Sequence, residues 1–400
     1  MNILILVIII LLLPIVWLSL DFHFGKKKQL EKPKRKNYPF RNSEFKVFTS
    51  GPELFEDYFL ELKQAKRHIH IMFYIVKNDD FSQEFLQILK NKAQEGLEVR
   101  LLLDRIGSIK IKKKTIHALR ESGVQFSFAQ KPKFPFLFYT LQTRNHRKIT
   151  VIDAKIGYVG GFNIGKEYIN QDQKLSPWRD YHLKLTGEGV TDLQREFLQD
   201  WSSETNVHLL DEPSYFPAQP KKGSLHQLIP SKGTILEETF SAFICKAQHQ
   251  IIIGTPYFIP SHRLLNDLLA ALKRGVSISI LIPLTADHIL VKEAAFPYLR
   301  KLLKNGALVY EYQNGFYHAK TAIFDQEVCD IGTANFDRRS LFLNEEINCY
   351  IYDREFISKL MSIIEKDISH SKTLTLNELT KPDVSRKFKE FIAKLVEDFL

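Results

Sequence analysis

Hydrophobic and polar positions divide this chain into three regimes. Residues Ile3 to Leu20 are apolar except for Ser19, and the run stops at Asp21. At about 1.5 Å per residue it reaches roughly 27 Å, enough for the hydrocarbon core of a bilayer. It has neither a basic leader nor a small-residue cleavage site, so the pattern predicts a retained transmembrane anchor over residues 1–21 rather than a removed signal peptide. Beyond residue 45 the pattern becomes a repeat. Ala65 to Val76 (AKRHIHIMFYIV) parallels Ala247 to Phe258 (AQHQIIIGTPYF), and Gly96 to Asp104 (GLEVRLLLD) parallels Gly275 to Pro283 (GVSISILIP). These short apolar runs read as strands. Between them, Phe81 to Glu95 and His262 to Arg274 place apolar residues three and four apart, as helices do. Gly123-Val124 and Gly306-Ala307 open one further strand in each copy. The predicted fold class is α/β, two similar halves each with a sheet buried between helix layers. The expected organisation is an anchor at 1–21, a basic linker at 22–44, a first half at 45–210, a crossing at 211–233 rich in Pro, Lys and Gly, and a second half at 234–400.

The third regime is the end of the chain. From Ser385 to Leu400, Phe388, Phe391, Ile392, Leu395, Val396 and Phe399 share a helical face, with Lys387, Lys389 and Lys394 elsewhere. This is an amphipathic helix, expected to pack its apolar face on its own domain in preference to a membrane interface.

Charge narrows the partners. Lys and Arg number 56 against 46 Asp and Glu, a formal +10. Lys26, Lys27, Lys28, Lys32, Lys34, Arg35 and Lys36, less Glu31, hold +6 of it and leave +4 for the rest. A basic cluster just after a span places the downstream body in the cytoplasm by the positive-inside rule and suits an anionic lipid surface. Nucleic acid is not an expected partner. Cys245, Cys329 and Cys349 show no paired spacing and read as reduced, buried residues; no Cys/His zinc pattern exists, so no metal or other cofactor is expected.

Candidate chemistry lies in a second repeat. His146-Arg147-Lys148, Asp153, Gly160-Gly161 and Asn163 recur as His318-Ala319-Lys320, Asp325, Gly332-Thr333 and Asn335 at identical intervals. On a strand, residues two apart share a face, so each His-Lys pair addresses one ligand. Lys binds phosphate oxygens as a point charge, and neutral His can attack phosphorus. Asn163 and Asn335 add amide donors. Asp153 and Asp325 complete the candidate catalytic set, yet their odd offset from Lys148 and Lys320 turns them to the opposite face, where bonding to neighbouring backbone is the expected role. Asp180 and Glu346 each begin an apolar strand and are candidates to hold an imidazole through Nδ1 and free Nε2. His68, His70, His249 and His288 are expected on strand surfaces or loops, not as ligands.

With its duplicated His-x-Lys-x4-Asp and Gly-x-x-Asn motifs, the chain resembles the phospholipase D superfamily over nearly all of its length past residue 45. Arg144-Asn145-His146-Arg147-Lys148, Gly160 to Gly165, Trp178-Arg179-Asp180, Thr255 to Pro260 and Gly332 to Asn335 are most similar to bacterial cardiolipin synthases. Two departures are the single apolar span, where many such synthases have two, and Glu345 in place of a frequent Phe. The resemblance implies a pocket at a pseudo-twofold interface between the halves and a covalent phosphohistidine. It implies a membrane phosphatidyltransferase that joins two phosphatidylglycerols and releases glycerol, single-pass, with its catalytic body cytoplasmic. The competing expectations are a phospholipase D or other head-group transferase, a membrane-tethered nuclease, and a non-catalytic lipid-binding scaffold. The interval from Gly123 to His146 exceeds that from Gly306 to His318 by 11 residues (23 less 12), and the surplus Lys131 to Tyr139 predicts an irregular loop that meets lipid.

Overall fold

The computed structural model describes residues 3–30 and 38–400, with the side chains of 3–9, 11 and 30 left out. Lys32, Lys34, Arg35 and Lys36 of the basic cluster lie outside the described residues. The first half contributes strands β1 (Arg41–Ser50), β2 (His68–Phe73), β3 (Glu98–Asp104), β4 (Gln125–Ala129), β5 (Ile149–Ile152), β6 (Ile156–Gly160) and β7 (Trp178–Gly187). The second contributes β8 (Ser224–Ser231), β9 (Gln250–Gly254), β10 (Ser277–Pro283), β11 (Leu308–Tyr312), β12 (Phe316–Tyr317), β13 (Thr321–Phe324), β14 (Val328–Gly332), β15 (Glu346–Ile351) and β16 (Ser371–Thr373).

These strands form one sheet whose order mirrors about its centre. Outward from β1 run β7, β6, β5, β2, β3 and β4; outward from its neighbour β8 run β15, β14, β13, β9, β10 and β11, then β16. Strands β2, β3 and β4 are parallel, as are β9, β10 and β11, with β16 antiparallel at the edge; helices Asp80–Gln94 and His262–Lys273 join the first two strands of each set, and the inner pairs are antiparallel. That is the two-half α/β arrangement the repeats predict. Helices cover both faces, and Leu, Ile, Val and Phe side chains fill the layers between.

Several local expectations need correction. The crossing expected at 211–233 contains β8, one of the two central strands, because its alternating residues His226, Leu228 and Pro230 are buried against β1 and β15. Likewise β1 begins at Arg41, inside the expected linker. Cys245 is exposed rather than buried, while Cys329 and Cys349 are buried. His68 and His70 are also buried. His70 stacks on Phe197 at 4.9 Å and meets Gln194 and Arg100, because helix Gly189–Thr205 covers that face of β2.

The amino-terminal helix runs from Ile3 to Leu30, past the apolar stretch and into the expected linker. Among the residues whose side chains are described, which omit 3–9 and 11, no helix is long and apolar enough to cross a membrane. The described side chains from Leu12 to Trp17 are exposed, whereas Asp21 and Gly25 are buried against the α/β body. There the Asp21 carboxylate accepts the Tyr139 N–H at 2.7 Å, and Phe22 packs on Phe138, Tyr139 and Phe399. The surplus segment before His146 therefore docks this helix. It is irregular through Pro135 and then helical over Leu137–Gln142, and of its aromatic side chains Phe134 stays exposed while Phe136 lies under Lys28.

One core group sets a pH dependence. Asp330 on β14 is 2% exposed, accepts Asn348 Nδ2 at 2.6 Å, and is pushed by burial up to about 8. Its folded form holds a proton that the unfolded chain releases near pH 4, so stability falls as pH rises from about 4 to about 8. Asp330→Asn should raise the melting temperature by several degrees at pH 8 and little at pH 5, relieving at most roughly 5 kcal/mol. Thermal melts at both values check this; an equal shift at both would sink it.

Candidate active site

Each His-x-Lys motif is built on a hairpin at the heart of its half. Asp153 and Ala154, and likewise Asp325 and Gln326, turn the chain with φ between +53° and +56°. Asp tolerates this left-handed turn better than most residues. Its carboxylate then collects the backbone N–H groups entering the neighbouring strand: Lys66, Arg67 and His68 for Asp153, and Gln248, His249 and Gln250 for Asp325. Both acids thus sit at the strand-entry end of the sheet and do not line the pocket. Their place in the motif is explained by a turn and three backbone hydrogen bonds.

At the other end of those strands, His146, Asn163, His318 and Asn335 line one cavity of about 800 Å³ between the halves. Lys148 and Lys320 sit fully buried beneath their histidines. Lys148 Nζ donates to the His146 carbonyl at 2.7 Å, and Lys320 Nζ lies 3.4 Å from Asp180. Burial, and then each other's charge in the case of Lys148, lowers both ammonium groups, Lys148 to about 7. An anionic ligand would restore their full charge. The Asn163 carbonyl accepts Ile75 N–H at 3.1 Å, and Asn335 Nδ2 donates to Asp337 at 3.0 Å.

The two carboxylates pair across the halves. Glu346, from the second half, receives His146 Nδ1 at 2.9 Å; Asp180, from the first, receives His318 Nδ1 at 2.6 Å. Since a carboxylate accepts, His146 carries its proton on Nδ1 and is left with the Nε2 lone pair; His318 Nδ1 faces Asp180 in the same way, with Lys320 Nζ also 2.5 Å from it. The backbone repeats the exchange. His146 N–H donates to Glu345 O at 2.9 Å and His318 N–H to Arg179 O at 2.7 Å, each the residue just before the partner carboxylate. Glu345 is buried beside Lys232; burial would raise its carboxyl, but Lys232 and Arg147 hold it near 2.

Side chains at the hairpin exits fit these acids. A Cβ at Gly161 would fall on the Asp180 carboxylate, whereas at the equivalent Thr333 the hydroxyl donates to Glu346 at 2.6 Å. Ser340 and Asn344 add further donors to Glu346. Burial opposes ionisation of both acids, yet Lys320 and His318 keep Asp180 low, and His146 and Lys148 keep Glu346 low. Burial lowers both imidazoles, His318 to about 4 with Lys320 adding to the effect, so both are neutral bases at pH 7.

Other walls of the pocket escaped motif reasoning. Tyr74 meets the His146 ring at 4.8 Å, and Trp178 the His318 ring at 4.7 Å. The Tyr257 hydroxyl donates to Asp287 at 2.6 Å, and both line the cavity with His288. Tyr74 and Tyr257 stand just past β2 and β9, one position out of register in the repeat, so identity matching could not pair them. Among the described residues, no group of three or more His, Cys, Asp or Glu is placed to hold a metal ion.

A pseudo-symmetric two-half fold with paired His-Lys sets around one shared cleft defines a phospholipase D-like enzyme class. The family model described as "Cardiolipin synthase, PLD-like domain" matches residues 58–201 and 240–368, and the chain belongs to that family. It is 40% identical to the minor cardiolipin synthase ClsB of Bacillus subtilis over the whole of both chains. It is 37% identical to cardiolipin synthase 2 of Staphylococcus epidermidis, covering 90% of this chain and 75% of that one. The fold is similar to that of a phosphatidylserine synthase from Haemophilus influenzae, with a TM-score of 0.71 over 95% of this chain and 100% of that one at 17% identity.

Proposed function

We propose that this protein is a membrane phosphatidyltransferase that converts two phosphatidylglycerols to cardiolipin and glycerol. The observation that carries the reading is the convergence of two complete sets, each a neutral His, a buried Lys, an Asn and a carboxylate, on one cavity. His146 Nε2 attacks phosphorus of the first lipid, a P–N bond forms, and the P–O bond to glycerol breaks as His318, which takes up a proton on Nε2 when the anionic lipid binds, passes that proton to the departing oxygen. His318 then takes the proton from a glycerol hydroxyl of the second lipid, whose oxygen displaces His146. Lys148, Lys320, Asn163 and Asn335 stabilise the charge that builds on the phosphoryl oxygens. One phosphodiester replaces another, so no energy source is required. Full-length protein in phosphatidylglycerol vesicles should release one glycerol per cardiolipin formed. Phosphatidic acid as the main product would make water the acceptor and the enzyme a phospholipase D.

Ile3–Leu20 would serve as a single-pass anchor with the catalytic body on the cytoplasmic side, supported by the apolar run, the exposed faces of Leu12, Ile15 and Trp17, and the lysines that follow. Protease added to intact spheroplasts should spare the body; its digestion without lysis would refute this topology.

A further inference from the structure

The helix Val384–Leu395 packs the opposite way from its expected mode. It lies on helix Val291–Lys304, but the side turned inward carries Ala393, Glu390 and Arg386: Ala393 is buried, Glu390 pairs with Arg300 Nη1 at 2.8 Å, and Arg386 donates to Glu378 O at 2.9 Å. Ordinary amphipathic packing buries the apolar stripe. Here Val384, Phe388, Phe391 and Leu395, spaced by four, three and four residues, face outward at 86%, 65%, 59% and 66% exposure. The polar face is fixed to the body by ion pairs, so the helix cannot simply roll over.

We propose that this stripe seats in the headgroup and acyl boundary of an anionic bilayer and holds the catalytic pocket against it. Charge fits that occupant. The helix carries Arg386, Lys387, Lys389 and Lys394 against Glu390, a net +3 (4 less 1), and Lys387, Lys389 and Lys394 are exposed. Their stems can cover apolar surface while their ammonium groups reach phosphate. Continuity fits it as well. The helix leads through Glu397–Phe399 to Phe399 and Leu400, which line the pocket, and the Phe399 ring meets Phe22 of the amino-terminal helix at 4.8 Å. The outward apolar surfaces of the two helices therefore meet at the pocket rim. A lipid entering from the membrane would have its phosphodiester beside the histidines without its acyl chains crossing water. The proposal rests on the reading that the substrate is a membrane lipid.

The test uses the full chain reconstituted in phosphatidylglycerol-phosphatidylethanolamine vesicles. Cys245→Ser removes the exposed thiol, and Phe391→Cys receives a nitrobenzoxadiazole probe. Blue-shifted emission, protection from iodide, and quenching by a nitroxide on a shallow acyl carbon are expected. In parallel, replacing Val384, Phe388, Phe391 and Leu395 together by Ser should lower turnover of long-chain phosphatidylglycerol in vesicles about tenfold. Turnover of a short-chain, dissolved analogue and the melting temperature should be unchanged. A probe that stays in water, or that is shielded only by a second copy of the chain at high protein density, overturns the proposal, as does equal loss on both substrates. The probe needs no turnover, so insertion by a chain that makes no cardiolipin would refute the proposed reaction and leave the membrane seat standing.

Discussion

His146→Ala should abolish the covalent phosphatidyl-enzyme and lower turnover by about 10³-fold or more, while His318→Ala should still form the adduct slowly and fail to discharge it. The two rings stand in similar frames, each buried, each with Nδ1 bound by a carboxylate and a lysine below it. Their electrostatics differ. His318 is held at about 4 by burial and by Lys320, so it must gain its proton together with the substrate. A bound phosphodiester anion supplies the compensating charge, with Asp180 against the ring and Asp287 nearby acting in the same direction. Rapid quenching with labelled phosphatidylglycerol, followed by mass spectrometry of the modified peptide, locates the phosphate. Finding it on His318 would exchange the roles, with the more firmly neutral ring as nucleophile.

Much of this arrangement is legible in the sequence because the two copies keep the same residues at the same intervals. Identical intervals from His to Lys, Asp, Gly and Asn give the hairpin, and period-two alternation gives the shared face. The odd offset of Asp153 and Asp325 likewise separates them from the pocket. What one-dimensional spacing does not carry is which half a side chain reaches into. Asp180 follows His146 by 34 residues and Glu346 follows His318 by 28, which invites pairing within each half; the central strand pairing of β1 with β8 instead sets each acid under the other half's imidazole. The carboxyl-terminal helix misleads for a related reason. A periodic apolar stripe shows that one face avoids water, but ion pairs such as Arg300 with Glu390 decide which face meets the protein.

Crossed pairing predicts a crossed phenotype. Glu346→Gln, a change in the second half, should impair the chemistry of His146 in the first, and Asp180→Asn should impair that of His318. An amide can turn its NH2 toward Nδ1 and so place the ring proton on Nε2, where it blocks attack or proton uptake. In a Ser-His-Asp site the corresponding change lowers turnover by about 10⁴-fold; here losses of roughly 10² to 10⁴ are expected from either variant. The losses should differ in kind. Glu346→Gln should fail before the adduct, giving no burst of glycerol, because its carboxylate bonds His146 along with Thr333, Ser340 and Asn344. Asp180→Asn should slow glycerol release less than the second transfer, so that labelled phosphatidyl-enzyme accumulates. Quenched-flow measurement of glycerol and of protein-bound label separates the two. A Glu346→Gln enzyme that accumulates adduct, as His318→Ala should, would show that the carboxylate acts on the histidine of its own half and that the cross-half bond has no part in the reaction.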